Sequence, residues 1–393
     1  MRIAIDGARV LLPDGEIAEV TITLAEGLII GVGHAIAATH RLHARGLLLL
    51  PGIVDLHGDA FEKQLMPRSS VYMPDEIALQ AVDRQLLANG ITTAFHALSV
   101  SWEPGLRSRE TTRRLLDALD ALRVDLDCDT RVHLRYEALA LDALEDVIDW
   151  IEGGRVDLLA FNDHAEILTQ HFEQGGSGGS VLARSGLTAA RYRALLNEVE
   201  RRRDELPSAL SRLAAAAGER ALPLASHDDG SPEQRRHYRA LGCRLCEFPV
   251  DVATAETAAA GGDRVLLGAP NVLRGESHAR RLSARQAVGD RLCSILASDY
   301  FYPAMVAAPF RLAAERVIDF ASAWRLVSAN PAAAAALDDR GEIAVGKRAD
   351  LVLIDDRRPE LPRLAATIAA GRIVHLAEAA LAARLEHFPG SER

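Results

Sequence analysis

The chain has 393 residues, 49% of them hydrophobic and 25% charged, with a formal net charge of −10. That length exceeds one small domain and suits a barrel plus a second small unit, and the composition is ordinary for a globular protein. The acidic balance excludes a general nucleic-acid binder, and the short apolar runs, the lack of a charged-then-apolar leader and the four cysteines point to a cytoplasmic protein with no membrane partner.

Residues 1–46 read as short strands, RIAIDGARVLL and EIAEVTITLAEGLIIGVG, with a turn at Pro13, Asp14 and Gly15. His34, His40 and His43 read as solvated loop residues. From Leu47 to Leu56 the chain is almost wholly apolar without alternation, the pattern of a parallel strand buried on both faces. It turns polar at once, with His57, Asp59, Glu62, Lys63 and Arg68. Positions two apart on a strand face one side, so His57 and Asp59 leave the strand end together. Such a pair suits a divalent metal, and equally a plain His–Asp hydrogen bond.

Strands and helices then alternate. A helix is expected from about Asp75 to Asn89, ended by Gly90, then strand 91–98, helix 108–123, strand 131–140, helix 141–152 and strand 156–164. The Gly/Ser-rich run 171–186 reads as a flexible loop, a lid over a catalytic face. A long helical section over 188–220 precedes strands within 221–230, 245–250, 264–270 and 293–300. Eight strands separated by helices predict a (β/α)8 TIM barrel of α/β class. Short strands recur at 341–355 and 368–376. The expected organisation is a small β-sandwich from both termini, residues 1–50 and 336–393, around a barrel at 51–335.

Barrels of this kind carry their chemistry at the C-terminal strand ends. This chain places there His57 and Asp59, Glu137, His164 with Asp163, His227 with Asp228 and Asp229, Glu247, and Asp299, while Asn271, Arg274 and His278 follow the seventh strand. A lone histidine at such a place is usually a structural hydrogen-bonder. Acids and histidines at most strand ends are harder to explain without a ligand, because buried charge is costly unless paired or metal-bound. Cys243 and Cys246 lead into one strand with no second pair to complete a zinc site, so they read as packing.

The strand-one His-x-Asp, the mid-barrel histidines, the eighth-strand Asp and the run NPAAAAALDDRGEIAVGKRADLVLID resemble the amidohydrolase superfamily. Within it, LLPGIVDLHGD, HLRYE, NDH, ASHDD, EFP, GAPNVLRGESH and ASDYFYP look like the phosphonate-metabolism diphosphatase family of the carbon–phosphorus lyase pathway. The resemblance implies one or two divalent ions, zinc, manganese or iron, held by His57, Asp59, Glu137, His164, His227 and Asp299. Neither lysine, Lys63 or Lys347, lies on a mid-barrel strand, so a bridging group would be a plain carboxylate, with Glu137 best placed. The superfamily usually takes its middle histidines from strands five and six, here four and five, which leaves Glu247 as the substitute for His164. Asp299 would act as the base. Phosphoryl transfer also needs positive charge around the phosphate oxygens. Lys63, Arg68, Arg135 and Arg274 are candidates for it, with Ser277 and His278 as neutral donors. Arg274 is the best placed, and a surface or structural salt bridge is the alternative for each arginine, the stronger reading for Arg135.

The implied reaction is hydrolysis of a ribose 1-phosphonate 5-triphosphate to the 5-phosphate and pyrophosphate. Two alternatives stand beside it: C–N hydrolysis of a small anionic substrate by a deacetylase, cyclic amidase or deaminase, and a non-catalytic barrel used as a binding module. The expected partner is a small anionic phosphorylated molecule, and a homo-oligomer is compatible.

Overall fold

The computed structural model describes residues 2–34, 36–174, 176, 178–275, 282–377 and 385–387. Its centre is a ring of parallel strands: β1 (Ile53–Gly58), β2 (Ile91–Val100), β3 (Asp129–Glu137), β4 (Leu158–Asn162), β5 (Leu224–His227), β6 (Leu245–Glu247), β7 (Arg264–Gly268) and β8 (Ile295–Ala297). Each is hydrogen-bonded to the next in chain order. The ring closes where Gly58 pairs with Asp299. The Asp59 N–H donates to the Asp299 carbonyl at 3.0 Å, and the Asp299 N–H donates to the His57 carbonyl at 2.9 Å. The expected eight-stranded barrel is therefore present.

Strand periodicity sorts the barrel into layers. On β3, Val132, Leu134 and Tyr136 join the outer core beneath the helices, while His133, Arg135 and Glu137 take the alternate, inward positions. Towards the N-terminal ends of the strands the interior is apolar, filled by Val54, Leu56, Phe95, Leu158, Ala225 and Ile295 among others. Towards the C-terminal ends it becomes polar. The helices cover the outside by the same arithmetic. Helix Arg109–Leu122 is capped by the Ser108 hydroxyl, which accepts from the Thr111 N–H at 3.2 Å, and it buries Leu115, Leu116, Leu119 and Leu122 along one stripe.

The termini build two further sheets. One contains Arg2–Asp6, Ile22–Ala25, Leu28–Val32, His40–His43 and Leu385–His387; the other contains Arg9–Leu11, Ile17–Glu19, Leu48–Pro51, Leu351–Asp355, Arg363–Ala369 and Arg372–Leu376. Ile3, Ile5, Ile22 and Leu24 from the first meet Leu49, Leu351, Leu353 and Ile368 from the second in one core.

Several local expectations change. The apolar run Leu47–Leu56 is two strands, not one, and Gly52 separates them. The first belongs to the terminal sheet: Leu48 and Leu50 face the barrel's outer core while Leu47 and Leu49 face the sandwich core, which explains the missing alternation. His40 and His43 lie on a strand rather than in a loop. The described part of 171–186 is largely helical, in Ala165–Glu173 and Gly179–Ser185. Its glycines act as terminators: Gly178 and Gly186 flank the second helix at φ +61° and +69°. The section 188–220 divides into helices Ala189–Glu200 and Leu206–Glu219. All four cysteines are free and buried, Cys243 and Cys246 within the core as expected. Among the described residues, no helix is long and apolar enough to cross a membrane.

The crossing from sandwich to barrel is tight. Gly52 donates its N–H to the Asp350 carbonyl at 2.7 Å, and the Trp324 indole donates to the Pro51 carbonyl at 3.1 Å. A Cβ on Gly52 would lie 2.3 Å from the Thr92 hydroxyl and 3.1 Å from the Asp350 backbone. Gly52→Ala is therefore expected to cost about 1–3 kcal/mol by overpacking, read as a lower urea midpoint, with Thr92→Ala added to it restoring part of the loss. An unchanged midpoint in Gly52→Ala would show that the crossing is not tightly packed.

Candidate active site

A cavity of about 320 Å³ opens at the C-terminal ends of the strands. His57, Asp59, His164, His227, Asp228 and Asp299 line it. Two clusters converge there. In the outer one, the His164 Nδ1 lies 2.6 Å from a Glu137 carboxylate oxygen and its Nε2 lies 3.4 Å from Asp228. Burial works against the Glu137 anion, yet the adjoining His164 outweighs it and the carboxyl falls to about 2. Burial also works against the His164 cation, but Glu137 and Asp228 raise that imidazole to about 9. The His227 Nδ1 is buried without a hydrogen-bond partner among the described residues. Burial brings His227 down to about 3, so the ring is neutral, the form that binds metal.

The inner cluster lies deeper. His57 Nδ1 is 3.3 Å from Glu247, and His133 Nε2 is 3.5 Å from the same carboxylate oxygen. Both tautomers follow from the neighbours. Arg135 only donates, and its Nη1 lies 3.4 Å from His57 Nε2, so His57 carries its proton on Nδ1 and donates to Glu247. The Leu56 carbonyl only accepts, and it lies 3.0 Å from His133 Nδ1, so the His133 Nε2 lone pair faces Glu247. Burial pushes the Glu247 carboxyl well above its usual range, and the His133 Nε2 facing it has no hydrogen-bond partner among the described residues.

Both clusters offer three groups with spacing that can hold an ion: His57, His133 and Glu247, or His164, His227 and Asp228. Their chemistry differs. The outer set combines two imidazoles with Asp228 and has the Glu137 carboxylate beside it, a mixed donor set that fits a divalent cation. The inner set has one carboxylate and a fully buried neighbourhood that already contains the Arg135 guanidinium, which opposes a second cation. The outer set is the better fit.

Asp59 and Asp299 stand together at the closing seam. Burial, then the Asp59 carboxylate, pushes the Asp299 carboxyl up to about 7. Beneath them Asp55 is buried and accepts from the Ser298 N–H at 3.0 Å and the Ser298 hydroxyl at 2.5 Å. Burial raises Asp55 to about 6. The strand ends are also strained: Asp228, Phe248 and Asp299 have φ of +59°, +52° and +54°. Such non-glycine residues cost on the order of 1 kcal/mol each and tend to gather where side chains are aimed for function. Here the turn sets the Phe248 ring 5.0 Å from His57 and 5.2 Å from His227, centroid to centroid.

The cations are arranged differently from the sequence expectation. Lys63, Arg68 and Arg274 are exposed and do not line the cavity. Lys63 donates instead to the Tyr300 carbonyl at 3.2 Å, and Arg274 approaches the Tyr300 hydroxyl at 3.4 Å. Ser277 and His278 lie outside the described residues. Arg135 does line the cavity, with Arg107 and Arg184, which sequence reasoning did not single out. Asp163 pairs with Arg203 rather than joining the site. Strand parity from Glu137 would have found His133. Arg107 and Arg184 follow no such periodicity.

A model described as "Amidohydrolase family" matches residues 303–375. Alpha-D-ribose 1-methylphosphonate 5-triphosphate diphosphatase of Escherichia coli is 31% identical over 322 residues, 79% of this chain and 84% of that protein. An adenine deaminase of a Methylobacterium species is 29% identical over an alignment spanning all of this chain and 61% of its own length. Among solved structures, N-acetylglucosamine-6-phosphate deacetylase from Pasteurella multocida superposes with a TM-score of 0.66 at 9% identity, covering 95% of this chain and 99% of that one. Another described as an amidohydrolase gives 0.65 at 16% identity, covering 96% and 100%. With a closed barrel, terminal sheets and acids and imidazoles converging at the strand ends, the chain belongs to the amidohydrolase superfamily, in the family of the Escherichia coli diphosphatase, and is a metal-dependent hydrolase.

Proposed function

We propose that the chain hydrolyses alpha-D-ribose 1-methylphosphonate 5-triphosphate to the 5-phosphate and pyrophosphate, a step of phosphonate catabolism in the cytoplasm. The observation that carries this reading is the lining of the cavity, where three arginines stand beside the acid and imidazole clusters. A triphosphate needs several converging donors, whereas an amide needs at most one. The identity with the Escherichia coli diphosphatase supports the same substrate. The family and the clustered acids and imidazoles set aside the non-catalytic alternative.

His164, His227 and Asp228 would hold one ion, with the Glu137 carboxylate beside them, and the seam acids Asp59 and Asp299 line the same cavity. Bound zinc, manganese or iron supplies a water of lowered pKa and neutralises phosphate charge. The chain's own residues do the rest. His227, kept neutral by burial, offers a lone pair without first losing a proton. Asp299, held at the seam with Asp59, accepts the proton of the attacking water and passes it to the departing pyrophosphate oxygen. Arg135, anchored on the Ser99 hydroxyl at 3.1 and 2.7 Å, holds anionic substrate oxygens in place.

C–N hydrolysis remains the second reading. The apolar part of the wall, Ile167, Leu168, Val181, Phe248 and Leu282, would accept a heterocyclic ring, and the adenine deaminase relative points the same way.

Phosphorus NMR of the metal-loaded enzyme should show pyrophosphate released from the ribose triphosphate, with adenine and N-acyl substrates inert. Turnover of a C–N substrate alone would transfer the site to the second reading. Chelation should abolish activity and re-added zinc or manganese restore it; full activity after the metal is removed would end the metal mechanism. Asp299→Asn is expected to lower kcat by about 10²–10⁴-fold, the usual span for a lost general base, and an unchanged kcat would remove Asp299 from that role. His164→Ala and His227→Ala should each lower bound metal per chain, read by elemental analysis, and undiminished metal in both would displace the outer cluster as the ion's site.

A further inference from the structure

We infer that Arg107 and Arg184 complete, with Arg135, a phosphate clamp on one wall of the cavity, each guanidinium fixed from behind and the Nη1 donors of Arg107 and Arg184 left for the ligand. The three are held in the same way. Arg107 donates through Nε and Nη2 to the two oxygens of Glu62, at 2.8 and 2.9 Å. Arg184 donates through Nε and Nη2 to the two oxygens of Glu103, the second at 3.2 Å. Arg135 uses Nε and Nη2 on the Ser99 hydroxyl. In each case the anchored edge is Nε/Nη2. The Nη1 donors of Arg107 and Arg184 have no hydrogen-bond partner among the described residues, and Arg135 turns its Nη1 towards His57. All three residues line the cavity.

The anchors are built as well as the arginines. The Glu103 side chain is 1% exposed, and one of its oxygens also accepts from the buried Tyr192 hydroxyl at 2.8 Å. Glu62 lies on the short helix Glu62–Leu65 that follows β1, so Arg107 is tied to the strand that carries His57. Arg184 comes from helix Gly179–Ser185, between β4 and β5, yet it is docked on the loop after β2. The Leu106 N–H donates to the Arg184 carbonyl at 3.1 Å, and a Cβ on Gly105, at φ +85°, would lie 2.2 Å from that carbonyl oxygen.

The carboxylates behind Arg107 and Arg184 cancel much of their long-range field. What remains is a set of charged, correctly oriented N–H donors, which suits tetrahedral oxyanions whose own charge would otherwise draw a flexible side chain out of place. Pre-anchoring also lowers the ordering cost of binding. The ligand is a phosphate or phosphonate oxyanion, and its identity as part of the ribose triphosphate rests on the diphosphatase reading above. Two ends of that substrate carry the same chemistry, the diphosphate to be released and the phosphonate.

The test is calorimetric titration of the metal-loaded enzyme with inorganic pyrophosphate and, separately, with methylphosphonate. Arg107→Lys and Arg184→Lys keep the charge and remove the fork, and Glu103→Gln removes the anchor of Arg184. Circular dichroism and metal content identify variants that remain folded and loaded. Each arginine variant should weaken one probe by about ten-fold or more, the loss expected for charge-assisted hydrogen bonds. Selective loss of pyrophosphate places the clamp on the diphosphate end, and selective loss of methylphosphonate places it on the phosphonate end. Glu103→Gln should weaken the same probe as Arg184→Lys. Wild-type affinity for both probes in folded, loaded Arg107→Lys and Arg184→Lys overturns the clamp, as does a wild-type enzyme that binds neither probe. Loss of probe binding in an enzyme that does not cleave the triphosphate would keep the clamp and reject the diphosphatase reading.

Discussion

The site depends on one join, the closure of the barrel between β8 and β1. Two backbone hydrogen bonds link His57 and Asp59 to Asp299, residues far apart in the chain. Asp55, buried beneath them, holds both the amide and the hydroxyl of Ser298. A carboxylate in that position is costly to bury, and its interactions with Ser298 offset part of the cost. The result is that two acids and an imidazole leave neighbouring strands at one height, with their spacing set by the sheet rather than by flexible side chains. An open sheet of the same strands would leave Asp299 and His57 at opposite edges.

The interior above the apolar plug is an electrostatic arrangement that is almost self-satisfied. Glu137 and His164 stabilise one another's charged forms, whereas His57, His133 and His227 are kept neutral by burial. Arg135 supplies a cation deep in the barrel, and Arg107 and Arg184 face the same cavity from fixed carboxylate supports. Three buried polar atoms here, His133 Nε2, His227 Nδ1 and Glu247 Oε1, have no hydrogen-bond partner among the described residues. Buried polar atoms are generally paired, and of these three His227 lines the cavity, where a ligand would meet it.

Part of this was legible in advance. The alternation of strands and helices specified the barrel because a parallel strand needs a crossover of helix length, and only a closed ring of eight such units leaves no unpaired edge. His57, Asp59, His164, His227 and Asp299 could be placed at strand ends from the point where each apolar run turned polar, and they do line one cavity. Less legible were the breaks inside apolar runs. Little in the run LLLLPGIVDL distinguishes Leu48–Pro51, buried between two cores, from the start of Ile53–Gly58 in the barrel, because only Asp55 breaks the apolar character of the run. The glycine content of 171–186 reads as flexibility in the sequence, whereas at Gly178 and Gly186 it supplies the left-handed turns that bound a helix.

By itself, the sequence determined the class of fold, the sandwich made from both ends, and the chemical types gathered at the strand ends. These follow from periodicity and residue chemistry, which are local. The tertiary structure alone decided which cations face those acids. Arg274, Arg68 and Lys63 were near motif residues in the chain, but their elements leave them on the surface. Arg107 and Arg184, in segments without a periodic signal, are brought in by ion pairs to Glu62 and Glu103. An ion pair between residues 81 apart has no trace in either local stretch, because it depends on how the loop after β2 and the helix after β4 meet across the mouth of the barrel.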